Sequence, residues 1–284
     1  GAAMCEFCLK HGEGKKWYLQ AENYSDDLLS DIRRRRMIEE FFSHPEDLAR
    51  DVGRLGQLQK APAIIRSLVR RLATRKMKRE HFGQVVPIEE IEEIFGFVNS
   101  IVRVACICRH ITLGREQRYC YGISLSPGGG KMGEILRGLG SSFFAGPSHK
   151  GLEEISKDEA LSAFRNHEHD GLCHTVWTFR APFIGGVCNC DRSDCLAMRS
   201  TVTYDVPVMF RAEYVAEIDP DRCVGCRQCM RVCQFGAIVY SAATEKASID
   251  QTRCYGCGIC RSVCKTDAVR LVERRKVPVA SGLW

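Results

Sequence analysis

The chain has 284 residues, 45% of them hydrophobic, which is enough for one large core or two modest ones and excludes a disordered tail. Its formal charge is +6, it has no apolar run of about 18 residues, and GAAMCEFCLK lacks an apolar signal core, so no membrane insertion and a cytoplasmic location are expected. Seventeen cysteines without a secretory segment argue against a disulfide framework and for metal binding.

In chain order, the first cysteines are Cys5 and Cys8, followed by His11, in CEFCLKH. CxxCxxH is half of a zinc-type set and differs from the CxxCH of haem attachment; it needs a further ligand, for which Cys173 or His174 is the candidate. The first hundred residues then read as helices. DDLLSDIRRRRMIEEFF (26–42) and PIEEIEEIFGFVNSIVRV (87–104) space apolar residues along a helical face, and 60–79 alternates apolar pairs with basic residues, predicting a third helix with a positive outer face.

The region 105–213 mixes short segments with Gly-rich turns. Ser156 and Glu159 form a capping box before EALSAFRNH, and Gly171 suits the end of that helix. GGGKMG (128–133) lacks the glycine and the Ser or Thr that a phosphate loop requires, since Leu125 and Met132 stand there. Residues 201–219 read as extended chain. The expected fold class is α+β: a mainly helical N-terminal domain with a mixed middle region over 1–213, then a two-cluster domain over 214–284.

From residue 219 the chain repeats with a period of 31: DPDRCVGCRQCMRVCQFGAIVY aligns with DQTRCYGCGICRSVCKTDAVRL. Each copy is CxxCxxCxxxC, a spacing that lets a short loop wrap three thiolates around one face of an iron-sulfur cube. Gly225 and Gly256 suit the tight turn in each loop. Structural zinc is the poorer reading, because zinc sites use paired CxxC elements further apart.

This segment resembles the bacterial two-cluster [4Fe-4S] ferredoxins. The resemblance covers about 70 of the 284 residues. It implies two [4Fe-4S] clusters, one on Cys223, Cys226, Cys229 and Cys264, the other on Cys254, Cys257, Cys260 and Cys233. Two features depart from the family. Gln234 and Lys265 stand where it has proline, and the segment carries eleven Lys or Arg against seven Asp or Glu where free shuttles are commonly acidic. The first weakens the preset turn but removes no ligand; the second argues against a free shuttle and for a domain working within a larger protein or complex.

Nine cysteines remain. Cys106 and Cys108 in CICR close the predicted helix 87–104, and Cys188 and Cys190 in VCNCD follow the Gly185-Gly186 turn. Two CxC pairs bring four thiolates, a sufficient set for a third iron-sulfur cluster or a zinc ion, with Cys120 and Cys195 as alternative ligands. Buried, unmetallated thiols are the competing reading.

The expected function is low-potential electron transfer through two [4Fe-4S] clusters, with a redox partner protein and within a larger anaerobic oxidoreductase system. An electron-transfer component is favoured over a self-sufficient enzyme. One alternative is a reductase whose third cluster keeps an open iron for a small substrate; His174 and Asp191 are then the acid-base candidates. Another is an iron-sulfur redox sensor that binds nucleic acid through the basic helices, disfavoured by their scarcity of aromatic residues and by the acids flanking the Arg33–Arg36 run.

Overall fold

A computed structural model describes Phe7, Lys10 and residues 16–139 and 151–284. Cys5, Cys8 and His11 lie outside the described residues.

The helices of the first part are α1 (Ile32–Ser43), α2 (Pro45–Leu58), α3 (Ala63–Glu80) and α4 (Ile88–Phe97). The predicted helix over 26–42 is divided: a 3-10 turn spans Asp26–Ser30, and the Asp31 side chain then caps α1 by accepting from the Arg33 amide. Helix α3 has no buried residue, as its basic face suggests. The predicted helix over 87–104 is too long. It stops at Phe97, and Ser100–Val104 form a strand. Ile101, Val102 and Val104 are buried on both sheet faces, and such an apolar run cannot be told from a helix by periodicity.

A seven-stranded sheet organises residues up to 210. Its strands are β1 (Gly83–Val85), β2 (Ser100–Val104), β3 (Cys120–Ser124), β4 (Glu153–Ile155), β5 (Cys173–Thr178), β6 (Ile184–Cys190) and β7 (Met209–Phe210), in the order β4-β2-β3-β6-β5-β1-β7. All neighbours are antiparallel except β1 and β7. Period-2 alternation sends Tyr121, Val176 and Val187 into one core with Ile91, Ile94 and Phe95 of α4 and Phe164 of α7 (Lys157–His169). Phe95 and Phe164 meet edge-on at 5.2 Å. The capping box of Ser156 and Glu159 starts α7, and Gly171, at φ +86°, lets the Leu172 amide return to the His167 carbonyl.

The other face of the sheet carries cysteines and is covered by α1, α2, α5 (Ile107–Leu113) and α6 (Gly130–Gly138). The GGGKMG stretch forms the entry to α6. A Cβ on Gly130 would lie 2.6 Å from an Asp26 carboxylate oxygen, and Asp26 also accepts from the Lys131 amide at 3.1 Å. The protein's own carboxylate closes this helix start.

Beyond β7, β8 (Tyr214–Ile218) pairs with β11 (Val269–Glu273), and β9 (Ile238–Ser241) pairs with β10 (Lys246–Ile249). Short helices α8 (Gln228–Val232) and α9 (Ile259–Ser262) follow the two cysteine loops. The C-terminus folds back: Trp284 stacks on Phe210 of β7 at 4.9 Å, and buried Arg274 donates to the carbonyls of Ala212 and Ser281.

Candidate metal centres

Each repeat makes a sharp turn between its first two cysteines. Gly225 and Gly256 adopt φ of +66° and +71°, and a Cβ on either would lie 2.1 Å from a backbone carbonyl oxygen, of Glu245 and Tyr214 respectively. Only glycine permits this closeness. The loops gather two sets of sulfurs. Cys229 is within electrostatic reach of Cys226, Cys223 and Cys264; Cys260 is within reach of Cys257, Cys254 and Cys233. The fourth cysteine of each repeat thus lies with the first three of the other.

Backbone amides donate to these sulfurs: Ala216 and Gly256 to Cys254 at 3.3 and 3.4 Å, Ala237 to Cys233 at 3.3 Å, and Ala268 to Cys264 at 3.3 Å. Val215, Ile238 and Val269 supply an apolar shell. Thiolate donors, amide hydrogen bonds to sulfur and a dry shell fit an iron-sulfur cluster.

Residues 216–271 match the 4Fe-4S dicluster domain family. The match supports metal binding and iron-sulfur electron transfer by this segment. Residues before the dicluster domain match no family, and no curated protein matches the chain.

The two positions where this dicluster domain lacks proline differ in use. Lys265 is exposed. Gln234 instead fastens the domain to the large sheet's surroundings: its side-chain amide donates to the Gly171 carbonyl at 2.7 Å and its oxygen accepts from the Arg192 amide at 2.9 Å. Proline can make neither bond. Arg261 reinforces the contact by pairing with Glu89 of α4.

The second cysteine group is built by strand register. Cys120 of β3 stands opposite Cys188 of β6, and Cys190 of β6 stands opposite Cys173 of β5, so all four share one face. Cys106 is the N-cap of α5 and Cys195 the N-cap of a short helical turn, Leu196–Met198. CICR therefore opens a helix, contrary to the expectation that it closes one. Gly185 and Gly186 lie inside β6, not in a turn; a Cβ there would come 2.5 Å from the Met132 sulfur or 3.0 Å from the Tyr121 carbonyl oxygen.

Six sulfurs form a ring. Cys106 contacts Cys108 and Cys120, Cys120 contacts Cys188, Cys108 contacts Cys195, and Cys195 contacts Cys190, which lies within electrostatic reach of Cys188. Cys120 and Cys195, expected as alternatives, are equal members of this ring. Among the described residues no group of three or more His, Cys, Asp or Glu side chains is arranged to hold a single metal ion, the dicluster cysteines included.

Hydrogen bonds from the Cys108 and Cys120 thiols, with the nearby Arg109 charge, hold Cys106 well below the ordinary thiol range. Arg109 is buried and bonds the Asn189 carbonyl at 3.1 Å, pairs with Asp191, and lies 4.1 Å over the Tyr119 ring. Burial opposes its charge, but Cys106 and Asp191 hold its pKa above the ordinary value. Asp191, bound also by Ser193 and the Asp194 amide, is a structural anion rather than a free acid-base group.

His174 is on the opposite face of β5 from Cys173. It is fully buried, bonds Asn189 at 2.6 Å, and burial pushes its pKa down to about 4. That placement removes it from the cysteine ring. Cys173, by contrast, lies between the two cysteine groups: it hydrogen-bonds Cys257 and lies within electrostatic reach of Cys195 and Cys233. Strand register decided this, and the sequence carries no local signal for it.

Proposed function

We propose that the chain is an electron-transfer protein with two [4Fe-4S] clusters in a unit spanning 214–284 and a third iron-sulfur centre in a unit spanning 1–213. The observation that carries the third centre is the six-sulfur ring, with a buried guanidinium at its edge. In this reading Cys223, Cys226, Cys229 and Cys264 hold one cluster, and Cys254, Cys257, Cys260 and Cys233 hold the other. The thiolates of Cys106, Cys108, Cys120, Cys188, Cys190 and Cys195 are the donor pool of the third. Soft sulfur donors suit iron-sulfur clusters and, more weakly here, zinc.

When bound, such clusters supply one-electron transfer. The chain's residues supply the rest. Arg109 offsets the negative charge of the thiolates in a site where water cannot screen it. Backbone amides on Cys254, Cys233 and Cys264 stabilise charge on sulfur. Cys173 makes the contact between the groups: it bonds Cys257, lies within electrostatic reach of Cys195 and stands opposite Cys190 in the sheet. The fastening by Gln234 and Arg261 holds that contact in register and fits a module working within a larger anaerobic oxidoreductase system with a redox partner, in a cytoplasmic setting. Among the described residues no helix is long and apolar enough to cross a membrane.

A redox titration of anaerobically purified protein, followed by electron paramagnetic resonance, tests this. A third signal, absent from a Cys106→Ser, Cys188→Ser double variant that retains the dicluster signals, is expected. Identical spectra from both proteins would contradict the third centre.

A further inference from the structure

Helix α3 lies on the surface of the molecule, and none of its 18 residues is buried. It carries seven Lys or Arg against one Glu. Residues four apart share a face of a helix, and the outward face of α3 divides into two halves. Ile64, Leu68 and Leu72 form the N-terminal half, exposed by 84, 55 and 58%, with Ile65 beside them at 49%. Arg71, Arg75 and Arg79 form the C-terminal half, and all three are exposed. Among the described residues no other helix exposes more than one large hydrophobic side chain.

The basic residues of α3 are used in two ways. One set holds the helix to the body of the protein: Arg70 pairs with Asp205 at 2.9 Å, Lys78 lies 4.2 Å over the Trp284 ring, and Arg66 donates to the Gln59 carbonyl at 3.1 Å. The helix's own acid, Glu80, is taken by Lys76 at 3.7 Å. The side chains of Arg71, Arg75 and Arg79 have neither an ion pair nor a hydrogen-bond acceptor among the described residues. Four exposed aliphatic side chains therefore stand beside three uncommitted cations, and a contiguous exposed apolar patch of this kind marks an interaction site.

We propose that the outward face of α3 binds an anionic membrane surface, with the helix lying in the plane of the interface. Ile64, Leu68 and Leu72 enter the boundary of the acyl chains, and Arg71, Arg75 and Arg79 lie on lipid phosphates, which a guanidinium matches with two parallel hydrogen bonds. The density of charge keeps the helix on the bilayer rather than across it. A bilayer suits this face because the face is a ridge, not a groove, and needs apolar and anionic chemistry side by side along its length. An acidic protein would have to supply a groove shaped to both halves. This association goes beyond electron transfer and rests on no metal centre.

The test is co-sedimentation of the anaerobically purified full chain with vesicles of phosphatidylcholine alone and of phosphatidylcholine mixed in equal parts with phosphatidylglycerol. Binding to the mixed vesicles is expected, weakening as salt rises, with little binding to phosphatidylcholine alone. The triple variant Arg71→Gln, Arg75→Gln, Arg79→Gln should bind the mixed vesicles about a hundredfold more weakly, about fivefold for each cation. Leu68→Gln with Leu72→Gln should weaken binding at least tenfold at unchanged charge. A control variant of equal charge change, Arg270→Gln, Arg275→Gln, Lys276→Gln, removes cations that are paired with Glu217 and Glu273 and should bind as the wild type does. No binding of the wild type to the mixed vesicles, the outcome expected if an acidic protein covers α3 instead, overturns the proposal. So does binding that the two α3 variants retain, or that the control variant loses equally. Sedimentation reads the polypeptide and not its iron, so this proposal and the third centre fail separately.

Discussion

The thiol of Cys173, on the central strand β5, hydrogen-bonds Cys257, in the second loop of the dicluster domain. Burial, and then the Cys257 sulfur, push Cys173 above the ordinary thiol range, while the bond from Cys173 holds Cys257 below it. Cys173 is also the register partner of Cys190, so one residue bonds the dicluster loop and stands opposite a member of the second cysteine group. A Cys173→Ala variant should keep full iron content and alter the resonance signal of one dicluster centre only. Spectra identical to the wild type would show that the contact has no electronic role.

Arg109 and Asp191 form a buried ion pair at the edge of the ring. Removing one partner leaves the other charge buried and unpaired, a cost of about 3–5 kcal/mol. Arg109→Met should therefore lose the third centre and lower stability by about that amount in chemical denaturation, and Asp191→Asn added to it should restore part of the stability. If Arg109→Met denatures at the wild-type midpoint, the pair is not the anchor described.

Gln234 makes two hydrogen bonds where proline makes none. Gln234→Ala and Gln234→Pro should both weaken the attachment of the dicluster domain by about 1–3 kcal/mol, the usual net value of two such bonds. Limited proteolysis near 211–214 should become faster while the dicluster signals persist. Unchanged cleavage rates would argue against a fastening role.

Three imidazoles, His81, His167 and His174, are pushed down to about 4 by burial, and all are neutral in the fold at pH 6. Between the ordinary histidine value of about 6.5 and 4 the unfolded chain binds more protons than the folded one, so stability falls as pH drops through that window. Glu168, pushed up to about 7 by burial, works oppositely above the ordinary carboxylate value. Replacing His174 by Gln should remove one proton from the balance, flattening the slope of unfolding free energy by up to about 1.4 kcal/mol per pH unit between 4 and 6.5. An unchanged slope would show that His174 is not neutral in the fold.

The dicluster cysteines were legible because their spacing is local and repeated. Cys188 and Cys190 were legible for the same reason, as alternate residues of one strand. Cys120 and Cys195 were not, since only the pairing of β3 with β6 and the turn at Leu196–Met198 return them to the ring. Cys173 was a candidate fourth ligand for CEFCLKH, a pairing that lies outside the described residues, and its strand register sets it opposite Cys190. The helix expected over 87–104 overran because Ile101, Val102 and Val104 are buried on both faces, which erases the alternation that marks a strand. The cavity beside the second cysteine group, lined by Phe41, Met132 and Trp177 among others, draws its walls from elements far apart in sequence, and no local pattern encodes it.

Iron, sulfide and zinc analysis of the anaerobically purified chain, beside a variant with Cys106 and Cys188 replaced by serine, tests the central claim most directly. The account predicts about twelve irons and no zinc in the wild type, falling to about eight in the variant. About eight irons in both, or zinc at one equivalent in the wild type alone, would contradict a third iron-sulfur centre in the cysteine ring.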